Sequence, residues 1–224
     1  QDMIVFLKKI GCNISFIRKR TIKIIGTKEF RSANHEVMFD RIELGTYLIV
    51  AAIAGKKVIF LRIKPKIIKT EIKLLKKMGV KMKVEKNKIT VFESTKLNNI
   101  NIKTEPYPGF PTDLQAQIMV LMSKASGTSK ITENIFENRF MHVPELKRMG
   151  AKIITKKNVA LISGPTSLSG AEVMATDLRA SVSLVIAALI ADNRTVINRV
   201  YHLDRGYENL EKKLKKCKAS IKRF

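Results

Sequence analysis

Helical spacing of apolar residues gives way to strict alternation at several points along this chain, and the same transition recurs. Leu7-Lys8-Lys9-Ile10-Gly11-Cys12-Asn13-Ile14 is echoed by Leu75-Lys76-Lys77-Met78-Gly79-Val80-Lys81-Met82, by Leu146-Lys147-Arg148-Met149-Gly150-Ala151-Lys152-Ile153 and by Leu214-Lys215-Lys216-Cys217-Lys218-Ala219-Ser220-Ile221. Each copy reads as the end of an amphipathic helix, a Gly stop where the left-handed conformation costs least, and a strand of alternating residues such as Lys81-Met82-Lys83-Val84. The last copy carries Lys218 in place of Gly. An internal period of this kind constrains the architecture more strongly than any single motif.

A second element precedes the last three copies. Asp40-Arg41-Ile42-Glu43, Asp113-Leu114-Gln115-Ala116 and Asp177-Leu178-Arg179-Ala180 each open an apolar helical run, ending near Gly55, Gly127 and Asn193. Strands such as Lys56-Lys57-Val58-Ile59-Phe60 follow. The predicted unit is strand, helix, strand, helix, strand, strand, repeated three times in an α/β fold. The N-terminal copy has no first half, and a chain that starts at Gln1 inside a helix reads as a piece of a longer protein.

Composition narrows the picture. With 224 residues, 45% of them hydrophobic, the chain can bury a substantial core. The best apolar run, Val182 to Ala191, is only about half the roughly 20 residues of a membrane span and includes Ser183. Cys12 and Cys217 occupy equivalent repeat positions and read as small packing residues in a reducing compartment. The net charge of +24 raises the alternative of a noncatalytic nucleic-acid-binding protein. Against it, the lysines are spread over every repeat, as in Lys64-Pro65-Lys66-Ile67-Ile68-Lys69, aromatics are 6% and Trp is absent. A dispersed, solvated Lys surface fits better.

The candidate chemistry lies at the starts of the three Asp-led helices. Asp40, Asp113 and Asp177 each suit an N-cap, a role that by itself accounts for all three. If the repeats are related by threefold symmetry, however, the three positive helix ends converge on one face and form a site for anions. Arg139 in Glu137-Asn138-Arg139-Phe140, Arg205 in Leu203-Asp204-Arg205-Gly206, and Arg179 just past its helix start bring three guanidinium groups towards that face. Local pairs, Arg139 with Glu137 and Arg205 with Asp204, are the alternative. The stiff segment Pro106-Tyr107-Pro108-Gly109-Phe110-Pro111-Thr112 restrains how Asp113 is presented and suits it to proton transfer. His35, His142 and His202 lack ligand spacing and read as surface or packing residues. No metal-ligand cluster, phosphate loop or dinucleotide fingerprint is present.

Several blocks carry a resemblance. Phe110-Pro111-Thr112-Asp113-Leu114-Gln115-Ala116-Gln117, Phe136 to Leu146, Met174-Ala175-Thr176-Asp177-Leu178-Arg179-Ala180-Ser181, Asp204-Arg205-Gly206-Tyr207-Glu208 and Asp40 to Thr46 closely resemble the C-terminal half of the UDP-N-acetylglucosamine 1-carboxyvinyltransferases, enolpyruvyl transferases of peptidoglycan synthesis. The resemblance implies an inside-out α/β barrel of three repeats. Residues 1–39 would be the tail of the other domain with the connection, and residues 40–224 most of the C-terminal-half domain. It further implies a cytoplasmic enzyme of cell-wall biogenesis, cell shape and cell division, with phosphoenolpyruvate and UDP-N-acetylglucosamine as substrates and no cofactor or metal. Asp113 would meet the sugar hydroxyl and move its proton, Asp177 would assist at the reacting centre, and the backbone of Ile135 would contact the sugar nucleotide. Arg139, Arg179 and Arg205 would hold the carboxylate and phosphate of phosphoenolpyruvate. The family's N-terminal Lys-Asn pair and the mobile loop with its reactive Cys or Asp have no counterpart in this chain, so the N-terminal half is an implied partner. The shikimate-pathway enolpyruvyl transferases share the repeats but not the Asn138-Arg139-Phe140-Met141-His142 block.

Overall fold

The computed structural model describes residues 1–19 and 21–224, which form two compact units, Gln1–Asp40 and Arg41–Phe224. In the first unit, helix α1 (Asp2–Lys9) closes at Gly11, whose φ of +103° is the left-handed stop expected there. Strands β1 (Asn13–Arg18) and β2 (Thr21–Ile25) follow and pair antiparallel, with Ile14 opposite Ile24. The rest of this unit runs without regular structure and is tied back to the helix by Arg31 N–H to the Ile10 carbonyl and by His35 Nε2 to the Asp2 carboxylate, 3.2 Å.

The second unit opens with α2 (Arg41–Ala54), β3 (Lys57–Leu61), α3 (Lys69–Lys77), β4 (Met82–Glu85) and β5 (Lys88–Phe92). A second series comprises β6 (Asn101–Lys103), a 3-10 turn Thr112–Leu114 running into α4 (Gln115–Met122), β7 (Gly127–Thr132), α5 (Val143–Arg148), β8 (Lys152–Lys156) and β9 (Val159–Gly164). The third holds β10 (Glu172–Met174), α6 (Leu178–Ala188), β11 (Val196–Asn198), a 3-10 segment Val200–Arg205 and α7 (Leu210–Lys216). Only the middle series shows all six predicted elements. The first has no opening strand among the described residues, and the third has no strand pair after α7.

Sheet topology repeats with the elements. β6 and β7 are parallel, which requires the crossover that α4 supplies, and β9 lies antiparallel between β7 and β8. The first series reproduces the later half of this sheet in the order β3-β5-β4, and the third reproduces its parallel half as β10-β11. The chain therefore has an α/β fold of mixed sheets.

Two kinds of helix divide the work. α3 buries Ile72 and Leu75 and turns its lysines to solvent, as an amphipathic surface helix does. α4 is apolar apart from Gln115 and Gln117, and all of its residues are buried; α6 is buried from Ala180 to Ala187. These central helices pack on one another, α2 on α4 and α4 on α6. Gly45 permits the first contact, since a Cβ there would collide with the Leu114 side chain. α4 and α6 stop at Met122 and Ala188, each five residues before the predicted Gly127 and Asn193. For α4, Ser123 Oγ donates to the Val120 carbonyl and closes the helix early.

The helix stops behave as the repeat predicts. Gly79 and Gly150 have φ of +91° and +94°, and Lys218 takes the same left-handed conformation at +69°. A side chain in that region costs about 1–2 kcal/mol. Lys218→Gly is therefore expected to stabilise the chain by about 0.5–1 kcal/mol in a urea titration, the gain being reduced by glycine's extra chain entropy. Gly79→Ala is expected to destabilise it by at least as much, because its Cβ would lie 3.0 Å from the Lys96 carbonyl oxygen.

Candidate active site at three helix starts

Side chains from the N-terminal portions of α2, α4 and α6 meet on one buried hydroxyl. Tyr207, 1% exposed, places its Oη 2.8 Å from Thr46 Oγ1 of α2 and accepts from Arg179 Nη1 of α6 at 3.3 Å. Gln117 of α4 donates through Nε2 to Thr46 Oγ1 at 3.1 Å and to the Asp113 carbonyl at 2.8 Å. Helix N-termini carry partial positive charge and unsatisfied N–H groups, so their convergence favours an anion.

Asp113 sits at this convergence, but it is not an N-cap. It lies inside the 3-10 turn Thr112–Leu114, and its Oδ1 accepts from Arg139 Nη2 at 2.9 Å and lies 3.4 Å from Arg179 Nε. Two guanidinium groups on one carboxylate leave a net positive cluster, and Asp113 stays 39% exposed. Asp177 does cap its helix: Oδ1 accepts from the N–H groups of Arg179 at 2.7 Å and Ala180 at 2.9 Å, which leaves Oδ2 outside these bonds. Asp40 directly precedes Arg41, where α2 begins.

The structure brings Asp113, Arg139 and Arg179 together and puts Asp177 at the start of the helix that carries Arg179. Arg205 is exposed at the end of its 3-10 segment, two residues before Tyr207, and its side chain has no hydrogen-bond or ion-pair partner among the described residues. Neither local pair forms. Arg139 turns to Asp113 and stacks over Phe136 at 5.1 Å, while Asp204 is taken bidentately by Arg223 at 2.6 and 2.7 Å. Ile135 lies in the loop after β7, and its N–H donates to Glu133 Oε1 at 2.9 Å.

Several residues of the site escaped the sequence reading. Gln117 is fully buried in a helix whose only other polar residue is the equally buried Gln115, and polar residues in such an apolar run are the signal that could have found it. Thr46, Tyr207 and Glu133 gave no comparable sign, because their burial depends on partners far along the chain. Among the described residues no group of acidic, His and Cys side chains could hold a metal ion.

The family model for EPSP synthase (3-phosphoshikimate 1-carboxyvinyltransferase) matches residues 1–214. The chain belongs to this enolpyruvyl transferase family. Relatives named UDP-N-acetylglucosamine 1-carboxyvinyltransferase are 58% identical in Pelagibacter ubique, over 100% of this chain, and 51% identical in Rickettsia bellii, over 99% of it. Among solved structures, the enolpyruvyl transferase NikO from Streptomyces tendae superposes with a TM-score of 0.89 at 30% identity, over 99% of this chain and 53% of that one. EPSP synthase from Acinetobacter baumannii gives 0.72 at 18% identity, over 94% of this chain and 52% of that one, a likeness of fold alone. The chain spans 54% of the Pelagibacter relative and 53% of the Rickettsia relative.

Next to the cluster lies His142, 2% exposed, whose buried Nε2 has no hydrogen-bond partner among the described residues. Burial pushes its pKa down to about 4, with Asp177 pulling it up and Arg139 pushing it further down. Its folded pKa is thus below the ordinary value near 6.5, so unfolding takes up a proton between those pH values. Stability is full above about pH 6.5 and declines as the pH falls towards 4. Urea titrations at pH 7 and pH 5 are expected to differ by about 2 kcal/mol more in the wild type than in His142→Gln.

Proposed function

We propose that this chain forms the C-terminal half of a UDP-N-acetylglucosamine 1-carboxyvinyltransferase. The reaction transfers an enolpyruvyl group from phosphoenolpyruvate to the 3-hydroxyl of UDP-N-acetylglucosamine in the cytoplasm and releases phosphate, the first committed step of peptidoglycan synthesis. The observation that carries this reading is the Asp113 carboxylate held between Arg139 and Arg179 beside the starts of α4 and α6. The relatives named for that activity, 48–58% identical along the whole chain, support the choice of acceptor.

In this mechanism Asp113 accepts the proton of the sugar hydroxyl as its oxygen bonds to C2 of phosphoenolpyruvate, and the methylene carbon takes up a proton. The tetrahedral adduct then loses phosphate from C2 and a proton from the new methyl group, which restores the double bond. Arg139, Arg179 and Arg205 hold the carboxylate and phosphate, and they stabilise the adduct most strongly where its charge is concentrated. The free Oδ2 of Asp177 serves the reacting centre. The Ile135 N–H is already committed to Glu133, so its carbonyl is the group that contacts the sugar nucleotide.

The likeness to enolpyruvyl transferases and the βαβαββ order, complete in the middle series and partial in the other two, support a three-repeat, inside-out barrel for residues 40–224. Residues 1–39 then belong to the other domain of the whole enzyme. On this reading the 224-residue chain alone has no turnover, because the N-terminal Lys-Asn pair and reactive loop are not in it. Fused to the N-terminal half of the Pelagibacter ubique relative, it is expected to release phosphate from phosphoenolpyruvate with UDP-N-acetylglucosamine and not with shikimate 3-phosphate. Turnover by the chain alone, or preference for shikimate 3-phosphate, would overturn the reading.

A further inference from the structure

Glu133 is a buried acid that the proposed mechanism does not use. It is 3% exposed at the end of β7. Its Oε1 accepts from Thr104 Oγ1 at 2.8 Å, Ile135 N–H at 2.9 Å and Phe136 N–H at 3.2 Å, and its Oε2 accepts from Thr112 Oγ1 at 2.9 Å. Among the described residues no Lys, Arg or His forms an ion pair with it. Burying a carboxylate is costly unless donors surround it, and here neutral hydroxyls and amides do so. Thr104 Oγ1 also accepts from Asn134 N–H at 2.8 Å, so Thr104 and Glu133 together bind the amides of residues 134 to 136.

The two oxygens reach different loops. Thr112 immediately precedes Asp113, whereas Ile135 and Phe136 lead into Arg139. The same loops are joined a second time at the surface by Arg139 Nη2 to Asp113 Oδ1, 2.9 Å. An anionic substrate must draw Arg139 at least partly away from Asp113, and the surface link then weakens. The buried link through Glu133 uses the Ile135 N–H and leaves its carbonyl, the group assigned to the sugar nucleotide, outside the link.

We propose that Glu133 is a positioning residue, a buried carboxylate that keeps the Asp113 loop in register with the Ile135–Arg139 loop when Arg139 turns from Asp113 to substrate. The proposal rests on the enolpyruvyl-transfer reading for its kinetic consequence only. The linkage itself is a property of the chain.

Thr112→Val severs the link at one end and leaves the rest of the Glu133 network in place. In the 224-residue chain, amide hydrogen exchange is expected to accelerate at Leu114 and stay unchanged at Ile135 and Phe136, while Glu133→Ala, which removes both oxygens, accelerates exchange at all three. In the fused enzyme, Thr112→Val is expected to lower kcat about 10- to 100-fold, as small misplacements of catalytic groups do, with KM for both substrates within about threefold. Thr112→Ser, which keeps the hydroxyl, is expected to restore kcat. Unchanged exchange at Leu114, wild-type kcat in Thr112→Val, or a loss that serine does not rescue would overturn the proposal. If the wild-type fusion shows no turnover the functional reading fails, and the exchange pattern still decides whether Glu133 couples the loops.

Discussion

Asp113→Asn in the fused enzyme is expected to lower turnover by about 10²- to 10⁴-fold, the range over which a positioned acid or base contributes. Asparagine keeps the shape and can still accept from Arg139 Nη2 at the Oδ1 position, 2.9 Å in the wild type. It cannot take the hydroxyl proton. Because the pair is partly exposed, 28% and 39%, losing its charge is expected to change stability by no more than about 1 kcal/mol. Turnover and the urea midpoint measured on the same variant separate the roles. Near-normal turnover would reduce Asp113 to a structural partner of Arg139, and lost turnover with a collapsed midpoint would point to misfolding.

Arg179→Lys is the second large effect, about 10²- to 10³-fold in kcat/KM for phosphoenolpyruvate, comparable to removal of one preorganised donor at a developing charge. Arg179 uses Nη1 on Tyr207 Oη at 3.3 Å and Nε towards Asp113 at 3.4 Å, and its planar group lies 6.0 Å from the Tyr207 ring centre. A lysine supplies one point charge and cannot satisfy both directions. The α6 cap is formed by the backbone N–H of residue 179, so the substitution leaves that bond intact. Steady-state assays should show the loss chiefly in kcat/KM for phosphoenolpyruvate, and an unchanged value would remove Arg179 from the anion clamp.

These two residues also show where sequence reasoning reached and where it stopped. The stiff approach marks Asp113 and the place beside a helix start marks Arg179, both local features. The N-cap reading was right for Asp177 and wrong for Asp113, although the two open similar helices. The difference is that Pro111 starts a 3-10 turn ahead of α4 and moves Asp113 one step inside it, where its carboxylate turns to Arg139. The local pairs considered for Arg139 and Arg205 failed for the related reason that better-placed partners came from elsewhere: Asp113, 26 residues away, and Arg223, which took Asp204.

What the sequence determined by itself was whatever depends on neighbours within one turn or one strand. The amphipathic and largely apolar helices, their order, and the left-handed stops at Gly11, Gly79, Gly150 and even Lys218 follow from local spacing and backbone sterics. The quoted blocks also sufficed to point to the enolpyruvyl transferases. The tertiary structure alone decided which groups meet. Thr46 reaches Tyr207 across 161 positions and Gln117 reaches it across 90, and Glu133 joins Thr104 and Thr112 only because β6 and β7 pair side by side. Hydrogen bonds and ion pairs act over about 3 Å, so their partners are chosen by packing of the central helices and sheets, and no local pattern records that choice.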